Sequence, residues 1–344
     1  MDLADFDYDL PDDLIAQTPV EPRDSARLLV DQGAADPLHH HVRDLTDHLR
    51  EGDVLVVNDS RVIPARLRLR RETGGAAEVL LLEPLDTERR TWEALVRPGA
   101  KVKPGAVLIG SADEPLVEMI GRSRAGDTFH VAILGDGDPL AILEAHGEMP
   151  LPPYITAPLQ TPDRYQTVYA DKPGSAAAPT AGLHLTPELL GALEAAGIEM
   201  ARVELVVGLD TFQPISESDP LNHTIHSERY AVTSETFERC HEARRNGRRV
   251  VAVGTTAVRA LESAATFERL EGRTELYIHQ GYQWKIVDVL MTNFHLPRTT
   301  LLLMIEAFVG SRWRRLYADA IEQRYRFLSF GDAMLLDRHL EADR

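Results

Sequence analysis

The spacing of hydrophobic and polar positions divides the chain into three textures. The first runs to about residue 60 and ends in Asp53-Val54-Leu55-Val56-Val57, followed by the polar loop Asn58-Asp59-Ser60. A short continuous apolar run of this kind reads as a strand buried on both faces. From about 62 to 135 the pattern becomes one of short strand-forming runs separated by turn residues. The runs are Arg66–Arg71, Ala77–Leu82, Thr91–Val96, Ala106–Ile109, Leu116–Ile120 and Thr128–Leu134. Gly74-Gly75, Pro98-Gly99 and Pro104-Gly105 supply turn chemistry between them. Six short strands in one compact segment predict a small closed barrel, which leaves no exposed edge.

From about 139 the pattern turns helical and then alternates. Thr186-Pro187 starts a helix, with Thr as N-cap and Pro at the first helical position, and Gly197 ends it. Strands are predicted at Val203–Val207, Arg249–Val253 and Ile286–Met291. Helices are predicted at Ala257–Ala265, Thr300–Val309 and Arg312–Tyr325. Alternation of this type predicts α/β layers. The fold expected is a mixed α/β body with an inserted small six-stranded β-barrel domain. Residues 1–61 form the first part of the body, 62–138 the barrel, and 139–344 the main part of the body.

Composition changes this picture in two respects. Asp and Glu number 54 against 37 Lys and Arg, a formal charge of −17. Non-specific attraction to nucleic acid is therefore opposed, and any such partner requires a local basic surface. Arg66, Arg68 and Arg70 offer one, because alternation on a strand puts them on one face and Leu67 and Leu69 on the other. Second, the single Cys240 excludes an internal disulfide framework and a cysteine-rich metal site. Neither His39-His40-His41 nor His223-x-x-His226 has an evident third ligand, so no metal is expected. No apolar run approaches the ~18–20 residues of a membrane span. The opening Met1-Asp2-Leu3-Ala4-Asp5 lacks the segments of a signal peptide. A cytoplasmic location is expected.

Candidate chemistry collects where predicted strands meet helices, the usual place for ligands in α/β folds. Val253 leads into Gly254-Thr255-Thr256 and a helix. Free N–H groups there favour an anion. A capped strand–helix turn accounts for the same residues equally well. Walker and Gly-x-Gly-x-x-Gly patterns are absent, which argues against nucleotide-binding loops of those types. Pro179-Thr180-Ala181-Gly182-Leu183-His184 precedes the Thr186 helix, whose positive end would keep His184 neutral. Thr292-Asn293-Phe294-His295 and Arg326–Asp332 supply two further polar loops.

In this order, these loops resemble the S-adenosylmethionine:tRNA ribosyltransferase-isomerases of queuosine biosynthesis. The matching segments are Asn58–Arg66, Pro150–Ile155, Arg164–Tyr169, Ala178–Leu185, Val253–Arg259, Thr292–Leu303 and Tyr325–Met334. The sequence departs from the family pattern at Leu185, where phenylalanine is expected, at Asp210, where glycine is usual, and at Gly147-Glu148-Met149.

The resemblance implies a transferase acting on tRNA that carries 7-aminomethyl-7-deazaguanine at the wobble position. S-adenosylmethionine would be co-substrate and ribosyl donor, with no prosthetic group and no metal. Epoxyqueuosine would form, with release of adenine and methionine, and the protein is expected to be a monomer. On residue chemistry and motif position, His184, His295, Asp59 and Asp332 are the candidate catalytic residues. Asn58, Arg61, Thr180, Gly182, Gly254, Thr255, Thr256, Arg259, Thr292, Asn293 and Ser329 are candidate substrate-binding residues. Arg66, Arg68 and Arg70 are candidate tRNA contacts. Two alternatives compete: an S-adenosylmethionine-dependent RNA methyltransferase and a non-enzymatic RNA-binding module. The second expects an aromatic-rich barrel, whereas this segment offers only Trp92 and Phe129.

Overall fold

The computed structural model describes residues 1–123, 126, 128–208, 214–225 and 227–339. The first strands are β1 (Arg27–Gln32), β2 (Ala35–His41), β3 (Val54–Asn58) and β4 (Ser60–Val62). Then come β5 (Arg66–Arg71), β6 (Ala76–Pro84), β7 (Thr91–Arg97), β8 (Val107–Ile109), β9 (Pro115–Arg122) and β10 (Phe129–Ile133). Helix α1 (Pro139–His146), β11 (Lys172–Ser175), α2 (Pro187–Ala195), β12 (Glu199–Leu205) and β13 (Glu228–Val232) follow. The chain continues through α3 (Ser234–Arg245), β14 (Val250–Val253), α4 (Thr255–Phe267), β15 (Glu271–Thr274) and β16 (Val289–Asn293). Helices α5 (Thr300–Val309) and α6 (Arg312–Glu322) lead to β17 (Ala333–Asp337).

Among the described residues, β5 to β10 close a barrel in the order β10-β7-β6-β5-β8-β9. Its interior follows from alternation. Leu67, Leu69, Val79, Trp92 and Val131 are buried, while Arg66, Arg68 and Arg70 point outward. The fully buried Trp92 ring keeps its one donor satisfied, Nε1 giving to the Arg89 carbonyl at 2.6 Å.

The body is one mixed sheet, ordered β15-β13-β12-β3-β14-β16-β17-β1-β2 among the described residues. Its centre, β12-β3-β14-β16, is parallel. β3 and β14 are buried along their whole length, β3 as its unbroken apolar run predicted. A two-stranded parallel ribbon of β4 and β11 lies beside the exit from β3 into the barrel. The predicted mixed α/β body and six-stranded barrel are thus both present.

Two predicted edges move for identifiable reasons. The strand expected from Ile286 begins at Val289. The N–H groups of Lys285, Ile286 and Val287 are taken by the buried Glu262 carboxylate at 2.9–3.0 Å and are not free for the ladder. α2 begins as predicted, with the Thr186 hydroxyl accepting from Leu189 N–H at 3.1 Å. α6 stops at Glu322, three residues short of the predicted end, and Arg324 follows at φ +53°.

Candidate functional site

The parallel centre brings three strand ends to one edge of the sheet: Asn58 of β3, Val253 of β14 and Asn293 of β16. β17 runs antiparallel to β16, with Ala333 opposite Asn293, so the Arg326–Asp332 loop enters at the same edge. The Thr180–His184 turn packs against this corner. A cavity of about 40 Å³ lies there, walled by Thr180, Gly254, Thr255, Thr256, Thr292, Asn293, His295 and Ser329 among others.

Gly254 opens α4 at φ +86°, a conformation that favours glycine, and the helix has no side-chain cap. Its first-turn N–H groups therefore carry the positive helix end at the cavity wall. The Thr256 hydroxyl is buried there without a hydrogen-bond partner.

His295 lines the cavity, and its Nε2 lies 3.2 Å from the Thr292 hydroxyl. Its backbone N–H donates to the Tyr317 hydroxyl at 3.0 Å, and its carbonyl accepts from Tyr8. Burial lowers its imidazole pKa from 6.5 to about 3. His184 stands behind the cavity wall. Its Nε2 is 3.0 Å from the Asn293 amide nitrogen. Burial, reinforced by the charges of Arg326, Arg164 and Arg23, lowers its pKa to about 4. The neutrality expected of His184 is present, and its main cause is burial with surrounding arginines. His184 also lines a smaller cleft with Arg23, Arg164 and Ser329.

Other candidates are placed elsewhere. The Asn58 side chain ties β3 to β12, donating to the Leu205 carbonyl at 3.0 Å and accepting from Leu205 N–H at 3.1 Å. Asp59 is buried, and burial raises its carboxyl pKa. Its Oδ1 lies 3.8 Å from Lys172 Nζ. The Asp332 carboxylate accepts from the N–H groups of Arg27 and Arg326, both at 2.8 Å, and holds its own loop shut. Arg259 is turned to Glu228, in a buried ion pair, and to the Thr274 carbonyl. Gly182 is required by close approach, because a Cβ there would sit 2.0 Å from the Tyr169 hydroxyl.

A second, larger space of about 650 Å³ lies beside β5, lined by Arg61, Arg66, Arg68, Glu148, Ile155 and Gln166 among others. Arg68 Nε meets Glu148 at 2.9 Å, and Arg70 pairs with Asp113 outside the groove. The strip carrying Tyr154 and Ile155 separates the two spaces. Tyr154 lines the cavity and bonds the Ser329 hydroxyl at 2.7 Å. Sequence reasoning did not single out Tyr154, although it ends the Pro150-Leu151-Pro152-Pro153-Tyr154 segment.

Of the departures, Leu185 is fully buried beside Ala181 and Leu189, where an apolar side chain suffices. Gly147 has its own reason, since a Cβ there would lie 1.9 Å from the Pro64 carbonyl. Asp210 and His226 lie outside the described residues. His223 Nδ1 meets Glu217 at 2.9 Å, and His39 Nδ1 meets the Tyr325 hydroxyl at 2.8 Å.

Known proteins resemble this chain over nearly its whole length. The model of a family described as queuosine biosynthesis protein matches residues 3–336. A protein of Symbiobacterium thermophilum named S-adenosylmethionine:tRNA ribosyltransferase-isomerase is 50% identical, over 98% of this chain and 100% of its own length. A protein of the same name from Carboxydothermus hydrogenoformans is 47% identical, with the same shares covered. A solved structure described as S-adenosylmethionine tRNA ribosyltransferase from Thermotoga maritima is 38% identical. It matches 96% of this chain and 99% of its own at a TM-score of 0.55.

Proposed function

The chain belongs to the queuosine-biosynthesis family of S-adenosylmethionine:tRNA ribosyltransferase-isomerases, and from that membership we infer that it is an enzyme of this reaction. The ribosyl moiety of S-adenosylmethionine is transferred to 7-aminomethyl-7-deazaguanine at the tRNA wobble position and isomerised. Epoxyqueuosine forms while adenine and methionine leave.

The chemistry sets definite demands. The aminomethyl nitrogen must be neutral to attack the ribose. A proton beside the positive sulfur must be removed, adenine must depart, and methionine must leave as the epoxide closes. Positioned proton donors and acceptors in a desolvated site meet these demands.

The observation that carries our placement of the co-substrate is the uncapped start of α4 beside the unpartnered Thr256 hydroxyl. We assign Gly254, Thr255 and Thr256 to the methionine carboxylate, with N–H and hydroxyl donors meeting negative charge. Thr180, Thr292, Asn293 and Ser329 bring further polar groups to the ribosyl and adenine portions. His295, neutral and on the cavity wall, is the proton-transfer residue we favour, and Asp59, buried beside Lys172, stands outside that wall. The cavity is far below the roughly 300 Å³ at which ligand pockets begin, and Tyr154 and Ser329 join across its wall. Arg61, Arg66 and Arg68 make the adjoining groove the proposed path of the tRNA, with Arg70 at its margin. The working form we propose is a cytoplasmic monomer without a prosthetic group.

The test is incubation with tRNA bearing the aminomethyl base and S-adenosylmethionine labelled in the ribose. Label entering tRNA with release of adenine supports the reading. S-adenosylhomocysteine as product, or no transfer by folded protein, rejects it.

A further inference from the structure

Asn293 ends β16 and faces two ways. Its Oδ1 accepts from the Thr180 hydroxyl at 3.1 Å. Its Nδ2 lies 3.4 Å from the Asp332 carbonyl and 3.0 Å from His184 Nε2. A carbonyl oxygen can only accept, so the amide edge facing Asp332 must be the NH2 group. The Thr180 hydroxyl completes the same orientation from the opposite edge. With the amide so fixed, the hydrogen directed at His184 meets a nitrogen that must offer a lone pair. The remaining proton of the neutral ring is then on Nδ1.

We propose that Asn293 is a positioning residue that locks His184 in the Nδ1–H tautomer. His184 then serves as a hydrogen-bond donor, with Nε2 committed as an acceptor. The charged groups that act on the ring are cationic: Arg23 ahead of β1, Arg164 in the turn before β11, and Arg326 in the loop before β17. None stabilises imidazolium, so the neutral ring persists across the working range. The Nδ1–H tautomer has one hydrogen to give, and the cleft that His184 lines holds Arg23, Arg164 and Ser329. A neutral donor beside two guanidinium groups suits an electron-rich ligand atom. The catalytic meaning of this arrangement rests on the ribosyl-transfer reading above, whereas the tautomer itself does not.

The experiment is long-range proton–nitrogen correlation NMR on the full, 15N-labelled protein. Wild type is expected to show His184 with Nδ1 protonated and Nε2 bare from about pH 8 down to about pH 5. Asn293→Asp replaces a donor by a carboxylate that favours imidazolium. Its His184 titration midpoint is expected to rise towards neutrality, with kcat falling by roughly 10²-fold. Asn293→Ala, which needs no new charge to be accommodated, is expected to give a mixture of both tautomers. An Nε2–H signal in the wild type overturns the proposal. So does an Asn293→Ala protein that keeps the pure Nδ1–H form. A wild type with the expected tautomer but no ribosyl transfer defeats the reaction reading alone and leaves the positioning role standing.

Discussion

Replacing His184 by glutamine should flatten the acid side of the stability profile. The folded protein holds this imidazole at about 4, against 6.5 for the free group. A folded pKa below the unfolded one means stability that is present above about pH 6.5 and lost as pH falls towards about 4. Between those limits the unfolded chain binds a proton that the folded one does not. Each pH unit then costs about 1.4 kcal/mol. From about pH 7 to about pH 5 the loss comes to about 2 kcal/mol for His184 alone, after allowing for partial protonation near the upper end. The His184→Gln protein keeps an acceptor for Asn293 but has nothing to titrate. Urea unfolding at the two pH values measures both slopes. Wild type should lose about 2 kcal/mol more than the variant over this interval. Equal losses, or a His184 resonance titrating near its free value, would refute the argument that burial and three arginines keep the ring neutral.

Three further outcomes test the packing and the surfaces. Thr256→Val removes the unpartnered hydroxyl but keeps the shape. It should weaken S-adenosylmethionine binding by about 1 kcal/mol, measured calorimetrically, with thermal stability unchanged. Gly182→Ala drives a methyl group into the Tyr169 hydroxyl and should cost about 1–3 kcal/mol by urea unfolding. Adding Tyr169→Phe should recover part of that loss. Neutralising Arg66, Arg68 and Arg70 together should weaken tRNA binding and reduce its salt dependence. Each phosphate left without its arginine reduces the slope of log K against log salt by about 0.7–0.9. Because Arg68 and Arg70 already pair with Glu148 and Asp113, Arg66 should carry the largest single share.

Periodicity along the chain determined the elements and the architecture. Leu67 and Leu69 alternating with arginines specify a strand with one wet face, and Val54–Val57 specify one buried on both. Those local patterns need no knowledge of distant partners. Thr186-Pro187 and Gly197 likewise announced helix ends, through a capping hydroxyl and through backbone preference. The strand-end loops were legible as candidate sites because free N–H groups and Gly, Thr and His residues cluster in them. The tertiary structure decided which of these residues share a wall. Arg259 and Asp332 sit in the expected motifs, yet Glu228 claims one and the N–H groups of Arg27 and Arg326 claim the other. Tyr154 joins the cavity by reaching Ser329, 175 residues away in sequence. The state of His184 was decided in the same way. Its neutrality comes from burial and from Arg23, Arg164 and Arg326, and its tautomer from Asn293, 109 residues away. Desolvation and hydrogen-bond direction belong to whichever groups meet in space, and spacing along one chain carries no record of that meeting.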